Sequence, residues 1–193
     1  KTVASNSYPN GLTTSYSYTL DGQVATETDP AVTDRVTGAV HTARISTSYN
    51  TDGDVLSQTA ADTTGGDASR TESFTYNGND LKATAKDADG NLTSYGYNGY
   101  GDLATQTDPA GNVTNYGYDA TGQLLTVTLA NYTGNPANPT APAPLVESSR
   151  AYDPAGRLAS ITDSMGWVTS YGYTDDGLVA SVARSNPSAG TSY

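Results

Sequence analysis

A Tyr-x-Tyr pair, or its equivalent, recurs seven times in this chain, and its spacing limits the fold more than any other feature. The second tyrosine falls at Tyr18, Tyr49, Tyr76, Tyr97, Tyr118, Tyr152 and Tyr173, at intervals of 31, 27, 21, 21, 34 and 21 residues. Three intervals are identical and the others exceed 21 by 10, 6 and 13, so the unit is 21 residues long and tolerates insertions. Other positions keep the same phase. Glycine stands four residues after the marker at Gly22, Gly53, Gly101, Gly122, Gly156 and Gly177. Asn or Asp follows the marker directly at Asn50, Asn77, Asn98, Asp119 and Asp153, and an apolar residue lies six after it at Val24, Val55, Leu103, Leu124, Leu158 and Val179. The unit at Tyr76 departs, with Asp80 at the glycine position and Lys82 at the apolar one.

Each unit reads as two antiparallel strands. "TSYGY" (residues 93–97) is a short strand whose two tyrosines share a face, because side chains alternate with period two. "NGYGD" or "DATGQ" then supplies turn chemistry, the Asx side chain bonding local backbone and glycine accepting positive φ. "LATQTD" (residues 103–108) is the second strand, and "PAGN" (residues 109–112) turns the chain into the next unit. Gly111 has counterparts at Gly90 and Gly166, each fourteen after its marker. Mid-strand glycines at 96, 117 and 172 weaken a strand unless something approaches closely. They predict room for neighbouring backbone or for tyrosine rings packing across strands.

All three insertions fall between the second strand and the next tyrosine strand, within residues 30–47, 61–73 and 130–150, and so emerge on one edge. The last carries Pro136, Pro139, Pro142 and Pro144 and predicts a long, partly extended loop. No apolar stripe of helical period accompanies the repeats. The expectation is an all-β fold, a single repeat array over residues 1–193.

Composition narrows the function. Nine Lys and Arg against 20 Asp and Glu give a formal net charge of -11, which repels nucleic acid and anionic lipid alike. No apolar run approaches the ~20 residues of a membrane-spanning helix, so neither a nucleic-acid partner nor membrane insertion is expected. Cysteine is absent, which removes disulfides and thiolate metal sites. The chain starts at Lys1 without a leader, and this predicts a piece of a longer protein. Asn91, Asn112 and Asn131 open glycosylation sequons, which carry little weight in a sequence this rich in Asn and Thr.

Catalytic and cofactor chemistry finds no footing. "DADGN" (residues 87–91) has the oxygen spacing of a calcium loop but lacks the later bidentate glutamate, and a hairpin turn accounts for it better. His41 is the only histidine and sits in an insertion; it reads as a loop residue, with no metal site and no triad to join. No catalytic residue, metal or cofactor is assigned, and no enzyme activity is expected. Fifteen tyrosines against one Phe and one Trp admit two readings: stacking on sugars, or supplying the apolar area the chain otherwise lacks. A repeat must fill the same slot each time, which favours packing. The structural slots are Tyr97, Tyr118, Tyr152 and Tyr173 with Gly101, Gly122, Gly156 and Gly177. Trp167 and Arg157, which no other unit matches, with Tyr171 and Tyr173, are the residues to examine for ligand binding.

"AYDPAGRLASITD" (residues 151–163) closely resembles the YD repeat of RHS proteins, through Tyr152, Asp153, Gly156, Arg157, Leu158 and Asp163 followed by a Tyr-x-Tyr strand. That family comprises bacterial secreted or surface proteins, with relatives among toxin-complex subunits and animal teneurins. The resemblance runs from about Tyr8 to Val182, is strong again at "YDATGQL" (residues 118–124), and departs where Asp is replaced by Asn or Thr. It implies a β-ribbon spiralling into a hollow shell that often encloses a toxic C-terminal domain. The chain's end, "ARSNPSAGTSY", lacks the Asp-Pro-rich segment that closes such shells, and seven units are few for closure. The resulting expectation is a non-catalytic segment of extracellular or surface-exposed wall. Its partners would be neighbouring repeats of the parent chain and an enclosed effector domain. A different class of function, an adhesion or carbohydrate-binding module that uses the tyrosines and insertion edge on a surface glycan, is the alternative. Strand edges left open predict edge-to-edge self-association.

Overall fold

Every marker tyrosine closes a strand and the residue six positions later opens the next. The pairs are Tyr18↔Val24, Tyr49↔Val55, Tyr76↔Lys82, Tyr97↔Leu103, Tyr118↔Leu124, Tyr152↔Leu158 and Tyr173↔Val179. In all seven the register shifts by one residue just before the tyrosine, a β-bulge that twists the hairpin. The 21-residue period is therefore the antiparallel hairpin that the sequence predicts, with a bulge that it does not.

A computed structural model describes residues 5–7, 11–186 and 191–192. Tyr8, where the family resemblance starts, and part of "ARSNPSAGTSY" lie outside them. Two compact units, residues 1–93 and 94–193, divide inside a strand. The first holds β1 (Ser5–Ser7), β2 (Thr13–Tyr18), β3 (Val24–Thr28), β4 (Val32–Thr33), β5 (Val40–His41), β6 (Ala43–Tyr49), β7 (Val55–Asp62), β8 (Arg70–Tyr76) and β9 (Lys82–Lys86). Here β1, β2, β3, β6, β7, β8 and β9 are hydrogen-bonded in that order, while β4 and β5 form a separate two-stranded sheet. The second unit runs from β10 (Leu92–Tyr97) through β11 (Leu103–Thr107), β12 (Val113–Tyr118), β13 (Leu124–Tyr132), β14 (Ala143–Tyr152), β15 (Leu158–Asp163), β16 (Val168–Tyr173) and β17 (Val179–Asn186) to β18 (Thr191–Ser192). Its strands pair antiparallel in sequence order. Among the described residues there is no helix.

The turns are built by one recipe. Asn98 N–H donates to the Asp102 carbonyl at 2.9 Å, and Asn98 Oδ1 accepts the N–H groups of Tyr100 and Asp102. Asp119 and Asp153 repeat this pattern. Thr19 and Thr174, which break the Asx rule, keep the turn by accepting the Gln23 and Leu178 N–H on their hydroxyls at 3.2 and 3.1 Å. The opposite edge uses the same device: Asp87, Asp108 and Asp163 each accept the N–H four residues on, at 2.8 to 2.9 Å. "DADGN" is thus one hairpin turn of this set, with Asp87 bonded to Asn91 and Asp89. Gly101, Gly122, Gly156 and Gly177 take φ of 77 to 91° as the recipe requires. Asp80 holds the same left-handed conformation at φ 58°, so the departing unit preserves its turn without glycine.

The two faces of the sheet differ. One carries the tyrosines. The other carries a cross-strand hydroxyl pair beside three of the seven bulges: Ser17 with Thr26 at 2.6 Å, Ser48 with Ser57 at 2.7 Å, Thr75 with Thr84 at 2.6 Å. Gly96, Gly117 and Gly172 occupy this same slot, facing Thr105, Thr126 and Ser181. A Cβ added at any of them would collide with the partner's hydroxyl oxygen. The close approach expected at these glycines is real, but its source is corrected: a cross-strand hydroxyl, not backbone or a tyrosine ring, fills the space. Hydroxyl pairs fill this slot in three units and glycine in three, and the seventh sets Ala151 opposite Ser160.

No apolar side chain among the described residues is buried; Thr14 and Asn186 are the buried ones. Cohesion then rests on ladder hydrogen bonds, cross-strand pairs and turns. The insertions are less loop-like than their sequences suggest. β7 and β8 extend to Asp62 and from Arg70, and β13 and β14 reach Tyr132 and begin at Ala143, shortening the proline-rich loop to residues 133–142.

Candidate functional site

The tyrosine slot has one geometry. Tyr49 donates its hydroxyl to the Val24 carbonyl at 2.8 Å, Tyr76 to Val55 at 2.9 Å, Tyr118 to Leu103 at 2.9 Å, Tyr152 to Leu124 at 2.9 Å and Tyr173 to Leu158 at 2.8 Å. Each acceptor is the residue six after the preceding marker, so each of these five rings ties its hairpin to the one before. Burial raises the pKa of Tyr76 and Tyr118 above the usual phenol value, with the carboxylates of Asp54 and Asp102 adding to it respectively.

In three units the residue five after the marker links consecutive turns. Gln23 donates to the Gly53 carbonyl at 2.9 Å and Gln123 to the Gly156 carbonyl at 2.7 Å. Arg157 stands in this slot and reaches the Thr174 carbonyl at 3.5 Å. Its Nε also donates to Asp153 Oδ2 at 2.8 Å, and its guanidinium lies 4.5 Å from the centre of the Tyr173 ring. The Asp153 carboxyl is held below the usual range, first by the Arg157 backbone N–H and then by its side chain. Trp167 closes the opposite turn through Asp163, and the Arg184 guanidinium lies 4.8 Å from its ring centre. Tyr171 pairs with Val182 in the same hairpin. Of the residues singled out for ligand binding, Arg157 and Tyr173 touch each other, and Trp167 is met by Arg184, which sequence spacing did not flag. In the departing unit, Lys82 covers the Phe74 ring at 4.4 Å, which explains a cation at an apolar position.

Among the described residues, a cluster of one histidine and two carboxylates lies in the insertions. The first insertion folds back on itself: Val32 pairs with His41 and Thr33 with Val40, around a turn in which Asp34 Oδ1 accepts the N–H groups of Val36 and Thr37. His41, expected in a loop, therefore belongs to a strand, because the insertion is long enough to pair with itself. Its Nδ1 lies 2.6 Å from Asp62 Oδ2, at the end of β7, and 3.6 Å from Asp67 Oδ2 in the second insertion. Asp62 Oδ1 accepts the N–H groups of Thr42 and Thr64 at 2.9 and 3.0 Å. Gly65 passes so close that a Cβ there would collide with Asp62 Oδ2 and His41 Nδ1. The backbone N–H groups of Gly65, Thr64 and Thr42, and then His41, hold the Asp62 carboxyl far below the ordinary range.

Nearby runs an open groove of about 420 Å³, lined by these side chains with Asp29, Arg44, Ile45 and Arg70. One imidazole and two carboxylates within 4.8 Å of one another form a donor set a divalent cation accepts. However, ligands bound at about 2.0 Å in a tetrahedral site lie roughly 3.3 Å apart. The 2.6 Å separation of His41 and Asp62 is a hydrogen-bond length. As placed, the pair holds a proton.

The family described as RHS Repeat matches residues 97–133 and 152–191. Among solved structures, TcdB2-TccC3-TEV is 17% identical with a TM-score of 0.52 over 93% of this chain. TcdB2-TccC3 is 16% identical with a TM-score of 0.51 over 97%. A Photorhabdus luminescens Tc holotoxin pore is 16% identical with a TM-score of 0.47 over 98%. At these identities the first two show a shared fold. The chain spans 10%, 14% and 13% of the length of those three structures. Among curated proteins no sequence matches it.

Proposed function

This chain carries RHS repeats, and we propose that it uses them as a length of extracellular wall whose role is to enclose or present an effector domain of the parent protein. The observation that carries this reading is the tyrosine slot, filled five times by a hydroxyl-to-carbonyl bond of 2.8 to 2.9 Å. A slot filled the same way in five of seven units serves assembly, because each unit is held by its neighbours and stability accumulates along the array. Containment would be steric: a hydrogen-bonded sheet leaves no gap for a polypeptide to cross. That no apolar side chain among the described residues is buried supports this, since a wall needs two accessible faces and no interior. Free of its parent, the chain would offer strand edges and self-associate.

The carbohydrate-binding alternative loses seven of the fifteen tyrosine hydroxyls as free donors. Five tyrosine hydroxyls are committed to carbonyls, and Tyr16 and Tyr116 bond to Glu27 and Gln106 at 3.1 and 3.3 Å. Electron cryo-microscopy of the protein that contains this chain tests the proposal. The expected result is a hollow body whose wall includes residues 11–186; a map placing them in a free-standing module would overturn it.

A further inference from the structure

The two insertions of the first unit, separate in sequence, meet at one place. Thr63 N–H donates to the Thr42 carbonyl at 2.9 Å, and Thr64 Oγ1 donates to the Val40 carbonyl at 3.0 Å. Thr42 N–H donates to Asp62 Oδ1 at 2.9 Å. None of these donors titrates. One further contact does: His41 Nδ1 lies between Asp62 Oδ2 at 2.6 Å and Asp67 Oδ2 at 3.6 Å.

The acceptors differ in how they are held. Asp62 is 9% exposed and fixed by backbone N–H groups, so it stays in place whatever the charge on His41. Asp67 is 74% exposed, and its contact with His41 is a charge contact at 3.6 Å. Neutral His41 can still donate from Nδ1 to Asp62, although without charge assistance that bond is about half as strong. It cannot hold Asp67, whose carboxylate then has no cationic imidazole between it and that of Asp62. The other charged groups lining the groove are Asp29, Arg44 and Arg70.

We propose that His41 is a proton-operated clasp between the two insertions: protonated, it draws the Asp67 segment onto the β4–β5 hairpin, and deprotonated, it lets that segment go while Asp62 remains bonded. The hydrogen bond to Asp62, followed by the charges of Asp62, Asp67 and Asp34, raises the His41 pKa above its ordinary value. The sign follows from that direction. A group whose folded pKa is raised contributes fully below its unfolded pKa, near 6.5, and its contribution fades as pH rises through the folded value. Mildly acidic solution closes the clasp and alkaline solution opens it. In closed form the Asp67 segment walls one side of the groove; open, it leaves Arg44 and Arg70 more accessible.

His41 is the only histidine, so one imidazole signal in a nuclear magnetic resonance titration of the full 193-residue chain belongs to it. The expected midpoint lies above 6.5, and amide protection over residues 63–69, corrected for the intrinsic rate, falls across that midpoint by severalfold. Asp67→Asn should lower the midpoint and remove the pH dependence of protection while leaving the chain folded, since Asp67 is exposed. Asp62→Asn should lower the midpoint further. A midpoint at or below 6.5, or protection over residues 63–69 that is level across the midpoint, overturns the proposal. So does an Asp67→Asn chain that behaves as the parent sequence does.

Discussion

Tyr118 donates its hydroxyl to the carbonyl of Leu103 at 2.9 Å, crossing from one hairpin to the one before. Replacing it with Phe keeps the ring and orphans a half-buried acceptor. Tyr118→Phe is expected to cost about 1 kcal/mol, the net worth of one such bond. Urea unfolding, compared at equal m-value, measures it. The same change at Tyr173 should cost a similar amount, whereas a change at exposed Tyr100, which is 91% exposed, should cost close to nothing.

Asp80 occupies a left-handed conformation at φ 58° that glycine occupies in the other six units. Asp80→Gly should therefore stabilise the chain by up to about 1 kcal/mol, relieving part of the cost an L-residue carries there. Gly101→Ala, the reverse change at φ 91°, should destabilise it by roughly 1–2 kcal/mol. Thermal unfolding of the two variants beside the parent sequence gives both signs in one experiment.

How much of this was legible beforehand follows from where each signal lies. The hairpin, its phase and both turn sets could be read because they are local: Tyr152, Asp153 and Gly156 lie within five residues. Thr19 and Thr174 looked like exceptions because the Asx pattern names a residue type, whereas the turn needs only an oxygen acceptor at that position. The Gln23–Gly53, Gln123–Gly156 and His41–Asp62 contacts were hidden because insertions separate the partners by 30, 33 and 21 residues. Cross-strand register brings them together, and no local pattern encodes it. The glycines between tyrosines signalled close approach correctly, yet what approached depended on the partner strand.

Gly117 faces the Thr126 hydroxyl in the slot that other units fill with Ser or Thr pairs. Gly117→Ser should fall within about 0.5 kcal/mol of the parent sequence, because Thr126 can turn its hydroxyl to pair as Thr26 does with Ser17. Gly117→Leu should cost roughly 1–3 kcal/mol through overpacking. Denaturant midpoints separate the two, and equal losses for both would refute the shared-slot account.

The turn carboxylates set the acid limb of stability. Asn91 and Asn112 side chains lower the pKa of Asp87 and Asp108, the Thr121 hydroxyl that of Asp119, and the Arg157 backbone N–H that of Asp153. Groups with depressed folded pKa values contribute above their unfolded value near 3.9, and that contribution is lost as pH falls through the folded values. Stability should therefore hold down to about pH 4 and drop below it. A chain carrying Asn at Asp87, Asp108 and Asp119 should show a shallower acid limb, as the turns at Asn50, Asn77 and Asn98 already work without a titrating group.

The central claim is that this sheet is a wall with an inside and an outside. The chain has no cysteine, so single cysteines report on each face without interference. Gln58 lies on the tyrosine face, and Thr71, whose hydroxyl meets Thr59 at 2.9 Å, lies on the hydroxyl face. The measurement is the labelling rate of Gln58→Cys and Thr71→Cys by a bulky polyethylene-glycol maleimide, in the isolated chain and in the parent protein. A wall predicts that both react in the isolated chain and that only one face reacts in the parent. Equal labelling of both faces in the parent would contradict it.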